Sequence, residues 1–239
     1  MSLVTEYGAD LAYVHDAGFS EYALGAAPGL LRLLRQSGVR SGLVTDLGCG
    51  SGRWARELNL AGYEVFGVDR SAAFIRMARR IAPGARFVVG SLASVELPAL
   101  DGHFDRGVCQ LLLRSDAARR SLQACVRGFA SGRRLRLRRG GAGAHPGGGR
   151  AAVVLGQDWA ILVETEGDIA RATLTRRILC FRQVGRLYRR SEEVHRLRLF
   201  EPTEVLSLLS HAGFEARPVA GYGRFRLPRG IAGFVAVKR

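Results

Sequence analysis

Lysine is almost missing from this chain: of 36 basic residues, 35 are Arg and only Lys238 is Lys. So lopsided a choice points to GC-rich coding, because arginine codons are rich in G and C and lysine codons are not. Cysteine is scarce as well. Cys49, Cys109, Cys125 and Cys180 form no C-x-x-C pair and have no neighbouring His cluster, which argues against a zinc site and leaves the thiols as reduced, incidental residues. No metal is expected. No apolar run approaches the roughly 20 residues that cross a bilayer, so no membrane partner is expected either. The first twenty residues carry Glu6, Asp10 and Asp16 and no Lys or Arg, which is not how a signal peptide begins; a cytoplasmic protein is expected. With 239 residues, 47% of them hydrophobic, a chain of this size buries roughly 70% of its unfolded surface and needs no staple to fold.

The charge is as uneven as the composition. Formal net charge is +15, but residues 106–150 hold 11 Arg against one acid, Asp116. The other residues carry a net of only +5. A basic protein often binds nucleic acid through phosphates; here the excess belongs to one segment and says little about the rest.

Hydrophobic periodicity divides the chain. Tyr7 to Ser37 reads as mostly helical, with a stripe of Leu30, Leu31, Leu33 and Leu34. Then come a strand at Leu43–Leu47, a Gly-rich turn, a helix from about Gly52 to Ala61, and a strand at Glu64–Val68. A helix capped by Ser71 and a strand at Arg86–Val89 follow. Strand, helix, strand, helix, strand means βαβ crossovers and a doubly wound, mostly parallel α/β sheet. After residue 150 the pattern changes to long, partly alternating strands, Trp159–Thr165, Thr173–Arg182 and Leu187–Phe200, which read as an antiparallel meander. A helix from Pro202 and two closing strands, Phe214–Val219 and Ile231–Val237, complete the chain.

The strongest chemical signal is Val44-Thr-Asp-Leu-Gly-Cys-Gly-Ser-Gly52, with Asp69 closing the next strand. Glycines at 48, 50 and 52 let the chain turn tightly and let a ligand approach the backbone, while the following helix offers its N-terminus. Asp69 sits where a carboxylate can accept both ribose hydroxyl protons. A dinucleotide site would read G-x-G-x-x-G, but Arg53 holds the last position of that pattern. The spacing, with Asp46 just before the loop, suits a smaller adenosine ligand without pyrophosphate.

This stretch resembles the class I S-adenosylmethionine-dependent methyltransferases, a Rossmann-like family, of the small-molecule type. The resemblance covers residues 40–105 well, 200–239 fairly and the middle poorly. It implies S-adenosylmethionine as cofactor, held by Asp46, Gly48, Cys49, Gly50 and Gly52 at the methionine end, Asp69 at the ribose, and Ser91 and Leu92 at the adenine, with Arg70 also among the cofactor-binding residues. It further implies an N-terminal helical cap (1–40), a cofactor-binding core (41–150), an inserted antiparallel β-lid (151–200) and a C-terminal helix and hairpin (201–239), all in one domain. Tyr13, His15 and Phe19 are candidates for cap closure; Trp159 and Tyr222 are candidates for the acceptor side. His195, in the meander, is the candidate general base, since imidazole titrates near neutrality. The expected reaction is in-line transfer of the sulfonium methyl to an O, N or C nucleophile of a small molecule, by a monomer or homodimer. Alignment and exclusion of water supply much of the acceleration.

One stretch breaks the pattern. A doubly wound sheet calls for a fifth buried strand between a helix near Ala117–Val126 and the meander. The sequence there is SGRRLRLRRGGAGAHPGGG, Ser131 to Gly149, within an anomalous region of about 125–149. Leu135 and Leu137 alternate with Arg, and burying several unpaired guanidinium groups is prohibitive, so this segment is expected to stay out of the sheet centre. Three readings stand. It is an exposed Arg/Gly-rich loop, which would make the chain a nucleic-acid-associated protein or nucleic-acid methyltransferase. It is a tolerated insertion. Or residues 125–143 are read one base out of frame: Ser131–Gly143 has a codon spelling that, shifted by one base, begins PAGVFVFDVAGP, a buried strand ending in Asp. The third reading removes any nucleic-acid role and leaves a weakly stable chain, or one that binds cofactor without turnover.

Overall fold

The computed structural model describes residues 7–91, 95, 108–113, 134–139, 150–228 and 231–238. The N-terminal helical stretch is two helices, α1 (Ala9–Phe19) and α2 (Glu21–Gln36), broken at Ser20. α2 buries Leu30 and Leu34, one edge of its leucine stripe. β1 (Leu43–Leu47) is buried along its whole length, as a strand covered on both faces must be. α3 (Arg53–Leu60), β2 (Glu64–Asp69), α4 (Ala72–Ile81) and β3 (Arg86–Val89) follow in the expected alternation. Ser71 caps α4, its Oγ accepting the Phe74 N–H at 3.2 Å.

β4 (Val108–Leu113) and β5 (Arg134–Arg139) continue the sheet, and α5 (Pro202–His211) leads into β10 (Phe214–Val219) and β13 (Gly233–Lys238). The seven strands run in the order β10-β13-β5-β4-β1-β2-β3. β13 pairs antiparallel with both its neighbours, and the other pairings are parallel. One core lies where α2, α3 and α4 cover β1 and β2, around Trp54, Leu58 and Ile75. A second lies where α5 meets the other face, around Phe200, Leu209 and Phe234.

The Arg-rich segment corrects the sequence reading. Arg134–Arg139 is a strand at the sheet's centre, paired over six residues with β4 and over five with β13. The alternation of Arg and Leu that argued against it is itself a strand's period of two, and a reversed β13 beside a parallel β4 leaves a gap of one strand between them. The helix expected near Ala117–Val126 lies outside the described residues.

The meander is a separate four-stranded antiparallel sheet, β6 (Arg150–Leu155), β7 (Trp159–Asp168), β8 (Thr173–Val184) and β9 (Leu187–Arg198), in that order. Three of its strands were legible; β6 was not, because Ala151–Leu155 shows no alternation. A two-residue hairpin, β11 (Gly221–Tyr222) with β12 (Phe225–Arg226), also escaped the sequence reading. No described helix is long and apolar enough to cross a membrane.

Candidate cofactor site

The glycine loop and the acid of the neighbouring strand face each other. β1 and β2 are parallel and in register, Leu47 opposite Val68, so the loop leaving β1 and the tip of β2 emerge side by side. Gly48 and Cys49 donate their N–H groups to the Val68 carbonyl at 2.7 and 3.0 Å, folding the loop over β2. There the Gly50 N–H reaches Asp69 Oδ2 at 3.0 Å, while the Ser71 N–H reaches Oδ1 at 2.9 Å. The carboxylate is thus aimed by two backbone donors.

Two glycines of the loop are required by geometry. Gly50 has φ +55°, and a Cβ built on it would meet nothing within 4 Å, so the backbone there faces open space. At Gly52, φ +81°, a Cβ would lie 2.9 Å from the Ala78 backbone, so only glycine lets α3 start against α4.

Asp46 is buried beneath this loop, 3% exposed, and its Oδ2 has no hydrogen-bond partner among the described residues. Burial, with the charge of Asp69 second, pushes its carboxyl up to about 7. The same burial, followed by the charges of Asp46 and Asp69, holds the Cys49 thiol well above its ordinary range, so Cys49 contributes its backbone to the loop and no thiolate. Ser91 is exposed at the end of β3, and Arg70 is exposed beside Asp69. Leu92 lies outside the described residues.

The pKa of Asp46 gives a signed prediction. The folded chain keeps a proton that the unfolded chain releases near pH 3.8, so this group favours folding most at low pH. That contribution falls as pH rises from about 4 to about 7, by on the order of 4 kcal/mol. In urea melts, Asp46→Asn flattens this decline and makes the chain more stable than its parent at pH 8. An unchanged slope between pH 4 and 7 would contradict the assignment.

α1 connects this site to the four-stranded sheet. Asp16 is buried and accepts from Ser51 Oγ at 2.5 Å and from Arg53 through Nε and Nη2 at 2.9 and 2.8 Å. Burial raises its carboxyl, but the bonds from Arg53 and Ser51 outweigh it and hold Asp16 below the usual range. Toward the N-terminus of α1, Asp10 accepts from Arg189, whose Nε lies at 2.7 Å, and faces Arg182 at 3.7 Å. Tyr13 donates to Asp158 at 2.6 Å beneath the Arg182 guanidinium, 3.7 Å from its ring. The hydrogen bond to Asp158, with burial, raises the phenol's pKa.

Just before α1, Tyr7 joins three elements. Its N–H and that of Gly8 donate to Glu193 at 2.6 and 2.8 Å, and its carbonyl accepts from Ser71 Oγ at 2.6 Å. It does so at φ +58°, a left-handed conformation that a residue with a side chain holds only when its surroundings impose it. His195 is 2% exposed, with Nε2 2.7 Å from Glu193 Oε2. The Tyr7 ring lies 4.9 Å from His195, 5.1 Å from Phe74 and 5.6 Å from His15. Phe19 links His15, at 6.0 Å, to the buried Trp159, at 6.2 Å.

Tyr13, His15, Phe19, Trp159 and His195 therefore gather around α1, and Asp46, Gly48, Cys49, Gly50, Gly52 and Asp69 around the loop. Tyr222 joins neither group; it is buried in the core against α2. Tyr7, Asp16, Phe74, Asp158 and Glu193 were missed by sequence reasoning. The one available signal was that Asp10 and Asp16 stand as the two acids of a largely apolar helix, which asks for partners without naming them.

Residues 44–132 match the family model described as a methyltransferase domain. A search of curated proteins found no match. Among solved structures, DesVI of Streptomyces venezuelae is 18% identical, with a TM-score of 0.74 over 98% of this chain and 100% of that one. An S-adenosylmethionine-dependent methyltransferase of Clostridium acetobutylicum is 15% identical, with a TM-score of 0.74 over 95% and 97%. The sugar N-methyltransferase KedS8 of Streptoalloteichus is 18% identical, with a TM-score of 0.72 over 100% and 97%. Residues 44–132 accordingly match a methyltransferase domain, in a chain that has the fold of the S-adenosylmethionine-dependent methyltransferases.

Proposed function

We propose that this chain transfers the methyl group of S-adenosylmethionine to a nucleophilic atom of a small molecule, with a sugar amine as the favoured acceptor. The observation that carries the reading is the Gly50–Asp69 contact above the buried Asp46 carboxyl. It joins a donor-lined turn, a diol acceptor and a buried carboxyl that a cationic ligand would draw into its ionised form. These residues fit the cofactor. Asp69 would take the ribose hydroxyls, Gly48–Gly52 and Asp46 the methionine end, and Ser91, with Leu92 beyond it, the adenine. When bound, the cofactor supplies an electrophilic methyl on a sulfonium, which needs no enzyme nucleophile.

The protein's share is alignment and dryness. α1 and α2 act as the cap and β6–β9 as the lid. Tyr7, His15, Phe19, Phe74 and Trp159 form an aromatic wall between them that keeps water from the reacting atoms. His195 is a positioning residue in this scheme. A carboxylate that already accepts two backbone N–H groups leaves Nε2 as the donor, so His195 fixes Glu193, and Glu193 fixes Tyr7. Asp16 ties the wall to the loop through Ser51 and Arg53. The acceptor class follows from the fold neighbours, among them an amino pentose methyltransferase of Micromonospora echinaspora and KedS8.

The test is formation of S-adenosylhomocysteine from S-adenosylmethionine in the presence of amine-bearing sugars. One of them should raise its rate at least about 100-fold over the acceptor-free background, well within what orientation can supply. Acceptor-independent background across sugar amines, alcohols and phenols, from a chain that still binds cofactor, would refute the transfer reading.

A further inference from the structure

α1 is built into the four-stranded sheet along its length. Leu11 and Val14 pack with Trp159, Ile161 and Ile178. Asp10 pairs with Arg189, and Tyr13 donates to Asp158. A Cβ on Gly18 would lie 2.5 Å from the Trp159 ring, so the C-terminal end of the helix touches the sheet as well. The helix and the strands β7–β9 thus share one core and one set of ion pairs.

Asp16 reaches the other way, to the glycine loop. Its oxygens take Arg53 Nε and Nη2 at 2.9 and 2.8 Å, the planar fork that fixes direction as well as distance, and Ser51 Oγ at 2.5 Å. Ser51 lies in the loop and Arg53 opens α3. α3 has reason to take an acid from elsewhere. Its N-cap, Gly52, has no side chain and its first turn carries no acid, while the start of a helix favours a negative charge. Asp16 supplies that charge across 37 residues. Asp16 is 9% exposed and Ser51 8%, so the acid's end of the contact is shielded from the water that weakens surface pairs. The pair joins the loop to the body that carries Trp159 and His195. Whatever fixes Gly48–Gly52 also fixes Ser51 and Arg53, the partners that α1 docks on. By linkage, docking of α1 favours the fixed loop to the same degree.

We propose that Asp16 and Arg53 are positioning residues, whose ion pair couples the seating of α1 and its sheet to occupancy of the glycine loop. The inference rests on the cofactor reading, and hydrogen exchange with S-adenosylhomocysteine as the probe tests it. In the parent, saturating ligand should slow exchange across residues 9–19 by at least about 5-fold, the low end of a coupling between sites. Asp16→Asn keeps the shape of the acceptor and removes its charge, while Asp10, Leu11 and Val14 still hold the helix. This variant should stay folded and bind ligand through Asp69, with the slowing lost. Asp16→Arg with Arg53→Asp rebuilds the pair in reverse and should recover part of the slowing, which a role in stability alone does not require. Equal slowing in the parent and in Asp16→Asn would overturn the coupling, as would a reversed pair no better than Asp16→Arg alone. A parent that binds no S-adenosylhomocysteine would instead bring down the cofactor reading, and this inference with it.

Discussion

Replacing Arg134–Arg139 with Val-Phe-Val-Phe-Asp-Val raises the melting temperature by about 10 °C. The figure rests on the place of β5 in the sheet. Its register sets Leu137 opposite Phe234, Arg136 opposite Val235 and Leu135 opposite Ala236. Phe234 and Ala236 are fully buried and Val235 is 9% exposed, so one strand away the sheet is covered on both faces. On a face covered as that of β13 is, a cation without a partner would cost several kcal/mol, and each large apolar side chain in its place would contribute about 1.5–3 kcal/mol. Even a net gain of only 3–5 kcal/mol moves the midpoint of a chain this long by roughly 2–4 °C per kcal/mol. The replacement is the peptide that a one-base shift yields, and its Val-Phe-Val-Phe-Asp-Val falls on the six residues of β5. The family match ends at Gly132, where the Arg run begins. An unchanged or lower midpoint would show that the arginines are accommodated, and gene sequencing that finds another codon spelling would remove the frame argument.

The same segment shows how far local pattern carries. The loop, Asp69 and the capped α4 were legible because each is a short-range device: a glycine forced by a turn, an acid at a strand end, a serine ahead of a helix. β5 was rejected on its charges, although its alternation already had a strand's period. The position was set by β4 and β13, the latter about a hundred residues later in the chain, which no local rule sees. The ties of α1 are hidden for the same reason. Asp16 reaches Ser51 across 35 residues and Tyr7 reaches Glu193 across 186. Tyr7 carries no motif, and its left-handed backbone is a product of the two elements that pin it.

Asp69→Ala lowers affinity for S-adenosylmethionine and for S-adenosylhomocysteine alike, by about 100- to 10,000-fold. Two hydroxyl donors to an ionised carboxylate contribute about 1.5–3 kcal/mol each, and every 1.4 kcal/mol is tenfold. The substitution also frees the N–H groups of Gly50 and Ser71, so the loop loses its aim and some stability with it. Asp69→Asn keeps one acceptor oxygen and should fall between the two, which separates loss of the diol contact from collapse of the loop. Equal loss for product and substrate is the informative part, because the two share the adenosine and differ at the sulfur.

Calorimetric titration of the chain with S-adenosylhomocysteine puts the question most simply. Saturable binding at one site per chain, nearly abolished by Asp69→Ala in a protein that still melts cooperatively, is what a turn and an acid converging on adenosine require. A folded chain that takes up no ligand, or one whose Asp69→Ala variant binds as tightly as the parent, would mean that the two features meet for structural reasons alone.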